Sequence, residues 1–365
     1  MILDKCFKKE WIQDRSNHFK RGKAKADPEL IEKVIYALEL LEKLAYSEME
    51  FIFKGGTCLL LLLEKVNRFS IDIDIIANYE SKDKMEYFLE NIVKGSTVFY
   101  KYEENIRGEK SDIPKAHYKF FYNSDLDGQE KYILLDVLLE NNPYFLVEEN
   151  EIKCEFITSK ETNIAKVRMP SKECILGDKL TAFAPNTTGI PYGVGKEVEI
   201  IKQLYDVSNL FDEAEDLDLV RRTFIDIAKQ ELEYRGLDND YNDVLDDIFK
   251  TSLNIASKGK IDLNKFKELE IGVTRIKSYI FSSNFIIENA IGCSAKAAYL
   301  SRLIKNNEIK FERFNNKIKM DTIVISDDNF SKAFKGIKKF SPEAYYYLYK
   351  ALEINSKLID EVAVD

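Results

Sequence analysis

The residues best placed to do chemistry are three aspartates. In FSIDIDII, residues 69–76, Asp72 and Asp74 interrupt a run of isoleucines. Side chains alternate along a strand, so both carboxylates point to one face while Ile71, Ile73 and Ile75 occupy the other. Two like charges side by side repel, and a desolvated carboxylate is costlier still, unless a cation lies between them. A second run, YILLDVLLE, carries a lone Asp136 with at least three apolar residues on either side. That is the pattern expected of a strand buried on both faces. If the two strands are neighbours, three carboxylates converge in an arrangement that holds two magnesium ions. The competing readings are a half-exposed edge strand for Asp72 and Asp74, and a buried salt bridge for Asp136.

The elements that must position these acids begin at FIFKGG, a short strand entering a turn at Gly55 and Gly56. The following TCLLLLLEKV reads as a helix buried nearly all round. Glycines let a ligand approach the backbone, and a helix start offers N–H groups and the positive end of a dipole to phosphate oxygens. Thr57 adds a hydroxyl there and Lys54 a nearby cation. A glycine pair after a strand is common, so its weight lies in its order with the aspartates. GIPYGVGKE, residues 189–197, is a poor P-loop: five residues separate its outer glycine from the GK pair, and Glu197 stands where Ser or Thr should meet magnesium. It reads as a mobile loop between helices.

Taken in order, FIFKGGTCL, RFSIDID, ILLDV, ILGDKLTA and KQLYDV resemble the AbiEii/AbiGii toxin group of the DNA polymerase β-type nucleotidyltransferase superfamily, over about residues 50–212. The resemblance implies metal-dependent transfer of a nucleoside monophosphate from an NTP to an RNA or other acceptor, tRNA 3′ ends being a known acceptor in related toxins. It assigns Gly55, Gly56 and Thr57, with Ser70 and Lys54, to the triphosphate. Asp72 and Asp74 would ligate both Mg²⁺ (or Mn²⁺) ions, and Asp136 would ligate one and orient or deprotonate the attacking hydroxyl. It also implies a cognate antitoxin. Relatives often carry an acid before LYD, and Gln203 stands there here. Two further readings share these residues. A catalytically inactive nucleotide- or antitoxin-binding module would have no need to retain three costly acids, and a carboxylate–metal nuclease would need no triphosphate cradle.

In ECILGDKLTAFA, Ile175, Lys179 and Phe183 recur at helical spacing, which places Lys179 on an apolar stripe, where it either snorkels outward or meets an anion. The resemblance favours a contact to the triphosphate, with Asp206 orienting Lys179. In IIKQLYDVSNLF, Lys202 and Asp206 lie four apart and are able to pair.

The wider chain bounds these readings. Its 365 residues suggest two domains, an α+β domain over 1–170 and a mainly helical one over 171–365. The first is expected to be a nucleotidyltransferase-type mixed sheet flanked by helices. ADPELIEKVIYALELLEKLAY, with Asp27 as N-cap and Pro28 in the first turn, is an amphipathic helix. SIDIDIIAN, STVFYKYEEN, AHYKFFYNS, KYILLDVLLE, EIKCEFITS and NIAKVRMP read as strands, SKDKMEYFLENIV as helix, and KIKMDTIVIS as a late strand. Five cysteines, with no close pair, and two histidines argue against a disulfide framework or a structural zinc site, which leaves carboxylates to hold any metal. No apolar run approaches a membrane span and the N-terminus lacks a secretory signal, so a cytoplasmic protein is expected. The net charge of −9 weakens the case for a general nucleic-acid coat. Two basic stretches stand out, one within residues 1–25 that includes Lys20, Arg21 and Lys23, and RLIKNNEIKFERFNNKIK from Arg302. The latter, with its interleaved Phe311 and Phe314, is expected to meet RNA phosphates through Lys310 and Arg313.

Overall fold

Asp27 accepts a hydrogen bond from the Glu29 N–H at 2.9 Å and opens the long helix that carries the first part of the fold. The computed structural model describes residues 1–19, 25–65, 67–78, 82–105, 115–326 and 330–362. The basic residues Lys20, Arg21 and Lys23 lie outside the described residues. The chain divides into two compact units: Met1–Ser171 with Ser278–Asn284, and Lys172–Lys277 with Phe285–Asp365.

The first unit holds helices α1 (Lys9–His18), α2 (Pro28–Tyr46), α3 (Leu59–Leu62) and α4 (Lys82–Lys94). Its strands β1 (Ile52–Lys54), β2 (Ile73–Ile76), β3 (Lys101–Glu104), β4 (Lys115–Asn123) and β5 (Glu130–Leu138) form a mixed sheet in the order β1-β2-β5-β4-β3. The β2–β5 pair is parallel and the other pairs are antiparallel. A separate antiparallel ladder joins β6 (Val147–Glu151) to β7 (Lys166–Pro170). One face of the main sheet is core: Ile73, Ile75, Tyr118, Phe120, Tyr122, Ile133, Leu135 and Val137 are buried, and Tyr36 of α2 stacks on Tyr122 with ring centroids 3.7 Å apart. The other face carries the aspartates. The fold is α+β, as expected.

Several elements differ from the expectation. The helix after the glycine turn is only four residues long. Leu61, Leu62 and Leu63 are half-buried, so this apolar run supports packing but not a continued helix. Strand β5 is not buried on both faces: Ile133, Leu135 and Val137 are buried while Leu134, Asp136 and Leu138 are half-exposed. The strand expected at EIKCEFITS lies earlier, as β6, and Ser159 contributes only an isolated bridge to Ile2. KIKMDTIVIS forms a short 3₁₀ turn at Met320–Thr322 and no ladder, although Ile323 and Ile325 are buried.

Segment 278–284 completes the first unit from far along the chain. The Phe69 N–H donates to the Tyr279 carbonyl at 2.8 Å, and Arg68 bridges to Ile280. Phe281 packs on Phe19, Phe69 and Phe156, with centroids 5.0, 4.6 and 5.9 Å away.

The second unit holds α5 (Lys172–Ala182), α6 (Glu197–Glu213), α7 (Leu217–Tyr234), α8 (Tyr241–Ala256), α9 (Leu263–Arg275), α10 (Ile287–Lys305), α11 (Ser331–Lys335), α12 (Ile337–Phe340) and α13 (Pro342–Val362). Asp216, Asp240 and Asp262 cap α7, α8 and α9 through their side chains. Helix α10 is the axis of this unit: Ala290 to Ile304 is buried almost throughout, and α6, α8 and α13 pack against it.

Candidate active site

The register of the sheet places four side chains in one row. Lys54 of β1 is opposite Asp74 of β2, Asp74 is beside Asp136 of β5, and Asp136 is opposite His117 of β4. Directly paired residues project to the same face, so both carboxylates share it. Asp72, immediately before β2, continues the alternation: it is exposed, Ile73 is buried, Asp74 half-buried and Ile75 buried.

The glycine turn is built around this row. Gly55 has φ +82°, and a side chain there would place its Cβ 2.0 Å from Asp74 Oδ2. The Asp74 carboxylate thus occupies the space that only glycine leaves open. At Gly56 a Cβ would lie 2.7 Å from Ser70 Oγ and 2.9 Å from Arg68 Nη2. The two glycines therefore seat the two ends of RFSIDID. Thr57 is fully buried, and its hydroxyl donates to the Asp72 carbonyl at 2.5 Å, tying the turn to the first aspartate. Because α3 is so short, the phosphate cradle expected from a helix dipole does not form. What remains at the turn is backbone, approached closely by Asp74, Ser70 and Arg68 because the glycines carry no side chain. Lys54 Nζ lies 5.6 Å from the centre of the Tyr144 ring.

His117 is the residue the sequence reading missed. Its Nδ1 is 2.6 Å from Asp136 Oδ1, and the Asp136 side chain is 28% exposed. Strand-like alternation in AHYKFFYN was visible, but the register that brings His117 to Asp136 was not. Arg68 was also passed over. It is buried beside Gly56, and its Nη1 donates to its neighbour's carbonyl, Phe69 O, at 2.9 Å.

Among the described residues, no group of three or more His, Cys, Asp or Glu side chains is gathered to hold a metal ion. The hydrogen bond to His117 draws one oxygen of Asp136 toward β4. The donor set nevertheless fits a hard divalent cation: Asp72, Asp74 and Asp136 offer carboxylate oxygens, and register sets the last two side by side.

In the helical unit Lys179 and Asp206 form a buried pair. Lys179 Nζ is 3.2 Å from Asp206 Oδ2 and donates to Gln203 Oε1 at 3.1 Å. Asp206 therefore pairs with Lys179, and Gln203, standing where relatives often have an acid, reaches the same ammonium. Lys202 bonds Glu199 at 2.9 Å. The basic stretch from Arg302 is largely committed to packing. Arg302 is 2% exposed and bonds Asp246 and the Leu245 carbonyl, each at 2.8 Å. Arg313 donates to the carbonyls of Phe211 and Ala214 and lies 4.8 Å from the Phe311 ring centre. Phe311 and Phe314 pack on Phe211 and Tyr346. The expectation that this stretch presents Arg313 and its aromatics to RNA is corrected accordingly: these groups fasten the segment to α6 and α13.

Glycines are thus seated against a strand of paired aspartates, with a third aspartate on the adjoining parallel strand. The chain belongs to the AbiEii family: the family model for the nucleotidyl transferase AbiEii toxin of type IV toxin–antitoxin systems matches residues 39–274. It is a nucleotidyltransferase of a toxin family. No curated protein matches it. Solved structures similar to it include JHP933 from Helicobacter pylori, at 14% identity and a TM-score of 0.42, covering 77% of this chain and 96% of that one. A putative nucleotidyltransferase from H. pylori has 17% identity and a TM-score of 0.39 over 76% and 96%. MenT4, a nucleotidyltransferase toxin from Mycobacterium tuberculosis H37Rv, has 14% identity and a TM-score of 0.37 over 66% and 71%. Among the described residues no helix is long and apolar enough to cross a membrane.

Proposed function

We propose that this chain transfers a nucleoside monophosphate from an NTP to a hydroxyl of an RNA acceptor, with the tRNA 3′ end as the leading candidate. On this reading it acts in the cytoplasm under the restraint of a cognate antitoxin. The observation that carries the reading is the row Lys54, Asp74, Asp136, with the Asp74 carboxylate lying where a side chain at Gly55 would stand.

Asp72, Asp74 and Asp136 would hold Mg²⁺ or Mn²⁺, which supplies neutralising charge to the triphosphate and favours ionisation of the acceptor hydroxyl. The chain's own residues do the rest. The backbone of the Gly55–Gly56 turn, packed against Asp74 and Ser70, would meet the phosphates at its edge, with Lys54 beside it. Thr57 fixes the backbone of Asp72, which keeps the paired carboxylates in step with the turn. The acceptor oxygen attacks the α-phosphorus, the bond from that phosphorus to the bridging oxygen breaks, and pyrophosphate leaves. The hydroxyl proton passes to the Asp136 oxygen that His117 does not hold.

The test is incubation of the purified protein with total tRNA, Mg²⁺ and each α-phosphate-labelled NTP in turn. Label on RNA that disappears in Asp74→Asn is the expected result. Failure to label RNA with any NTP would overturn the reading.

A further inference from the structure

Resting on RNA as the acceptor, we propose that the face of the sheet beside the carboxylates is a stacking platform for the nucleotides just upstream of the reacting end. Tyr132 is the stacking ring and Lys119 its phosphate contact.

The register sets out this surface. Tyr132, Leu134 and Asp136 alternate along β5 on one face, and β4 matches them with Phe121, Lys119 and His117. The opposite face of β4, with Tyr118, Phe120 and Tyr122, is sealed in the core. Tyr132 is 42% exposed, so its ring is accessible to a ligand. It rests on Phe121 with centroids 5.8 Å apart, which fixes the ring without covering it.

The charges are arranged to leave one cation available. Lys119 Nζ lies 4.8 Å from the centre of the Tyr132 ring. Its neighbour across β3, Glu103, ion-pairs at 3.2 Å with Lys101, which is itself 4.0 Å from the Phe121 ring centre. Lys119 makes no ion pair among the described residues. An uncommitted ammonium over an exposed aromatic ring suits a ligand that brings both a phosphate and a flat base, and base–aromatic stacking is tolerant of sequence.

The spacing fits a nucleic acid whose end lies at Asp136. Four residues along a strand span about 13 Å. At about 3.4 Å per stacked step that is about four nucleotides, fewer if the strand is extended. The platform therefore favours a single-stranded end over a closed duplex, whose bases have no free faces.

The experiment measures binding without NTP, by fluorescence anisotropy of a short 5′-labelled single-stranded RNA with a free 3′ hydroxyl, using the full chain. A blunt duplex of the same sequence is the comparator. Tyr132→Ala is expected to weaken single-strand binding about tenfold or more, while Tyr132→Phe, which keeps the ring, binds as the parent does. Lys119→Gln should reduce the slope of log affinity against log salt by about 0.7. Parent-like binding by Tyr132→Ala, equal loss in Tyr132→Phe, or preference for the duplex would each overturn the platform. Labelled-NTP transfer assayed alongside separates the two proposals: RNA labelling by the parent with Tyr132→Ala binding unimpaired overturns the platform alone. A parent that neither binds nor labels RNA overturns both. Thermal melts confirm that the surface variants are folded.

Discussion

At the scale of single residues, two glycines with similar backbones allow strain to be separated from site chemistry. Gly55 and Gly128 both have positive φ, at +82° and +71°, so alanine at either costs about 1–2 kcal/mol of strain. Only at Gly55 would the new Cβ strike a carboxylate, since nothing lies within 4 Å of that position at Gly128. Thermal melts of Gly55→Ala and Gly128→Ala should both show a loss, larger for Gly55→Ala. NTP transfer should vanish in Gly55→Ala and persist in Gly128→Ala. Equal activity in the two variants would detach the turn from the chemistry. His117 allows a second comparison. If Asp136 holds metal as proposed, removing the group that orients it should weaken metal binding or activity about 10- to 100-fold. His117→Ala should therefore bind Mn²⁺, followed by its electron paramagnetic resonance signal, more weakly by that order. His117→Asn, which retains a short donor, should recover part of the loss. Unchanged Mn²⁺ binding in His117→Ala would mean that the 2.6 Å contact serves the sheet alone.

At the scale of elements, what was legible followed from local periodicity, and what was not depended on neighbours. Asp72 and Asp74 declared their shared face because strand alternation is local. Nothing in YILLDVLLE says that Leu134, Asp136 and Leu138 remain half-exposed, because that depends on what covers the second face. The leucines after Thr57 satisfied a helix rule, yet the chain leaves the helix at Leu63, whose backbone is extended with ψ 140°. Spacing on α6 allowed Lys202 to reach Asp206, but it could not show that the acid also meets Lys179 of α5. Breaking a buried pair strands a charge, so Asp206→Ala should cost the helical unit about 3–5 kcal/mol in urea denaturation. Replacing both partners, as in Lys179→Met with Asp206→Leu, should cost much less. An equal or greater loss in the double variant would mean that packing, not the stranded ammonium, sets the penalty. The contact between α8 and α10 adds a pH dependence. Burial pushes the Asp246 carboxyl up, but Lys305 and Arg302 outweigh it and hold it below its ordinary value. Its stabilising contribution is therefore complete above about pH 4 and is lost as pH falls through the depressed folded value. Acid titration monitored by circular dichroism should show Asp246→Asn less stable than the parent near neutrality, with the gap closing toward low pH. A gap that stays constant would exclude this ion pair as the acid-sensitive element.

At the scale of the whole molecule, the chain leaves the first unit after Ser171, returns to it for residues 278–284 and departs again, so one sequence cut cannot separate the two units. The return segment is bound by backbone and by packing: Tyr279 accepts from Phe69 N–H, Arg68 bridges to Ile280, and Phe281 fills an aromatic cluster with Phe19, Phe69 and Phe156. Arg68 and Phe69 open the same run that carries Ser70, Asp72 and Asp74, so a distant segment braces the start of the aspartate strand. Emptying the cluster with Phe281→Ala should cost about 3–5 kcal/mol, the usual range for a buried phenylalanine. The loss has a predicted address. Hydrogen exchange should rise at the Phe69 amide and along β2, which lie far from residue 281 in sequence, while α9 and α10, its neighbours along the chain, keep their protection. Because Asp74 rides on β2, NTP transfer should fall along with the β2 amide protection. Loosening confined to α9 and α10 would show that segment 278–284 belongs energetically to the helical unit and that the aspartate strand stands without it.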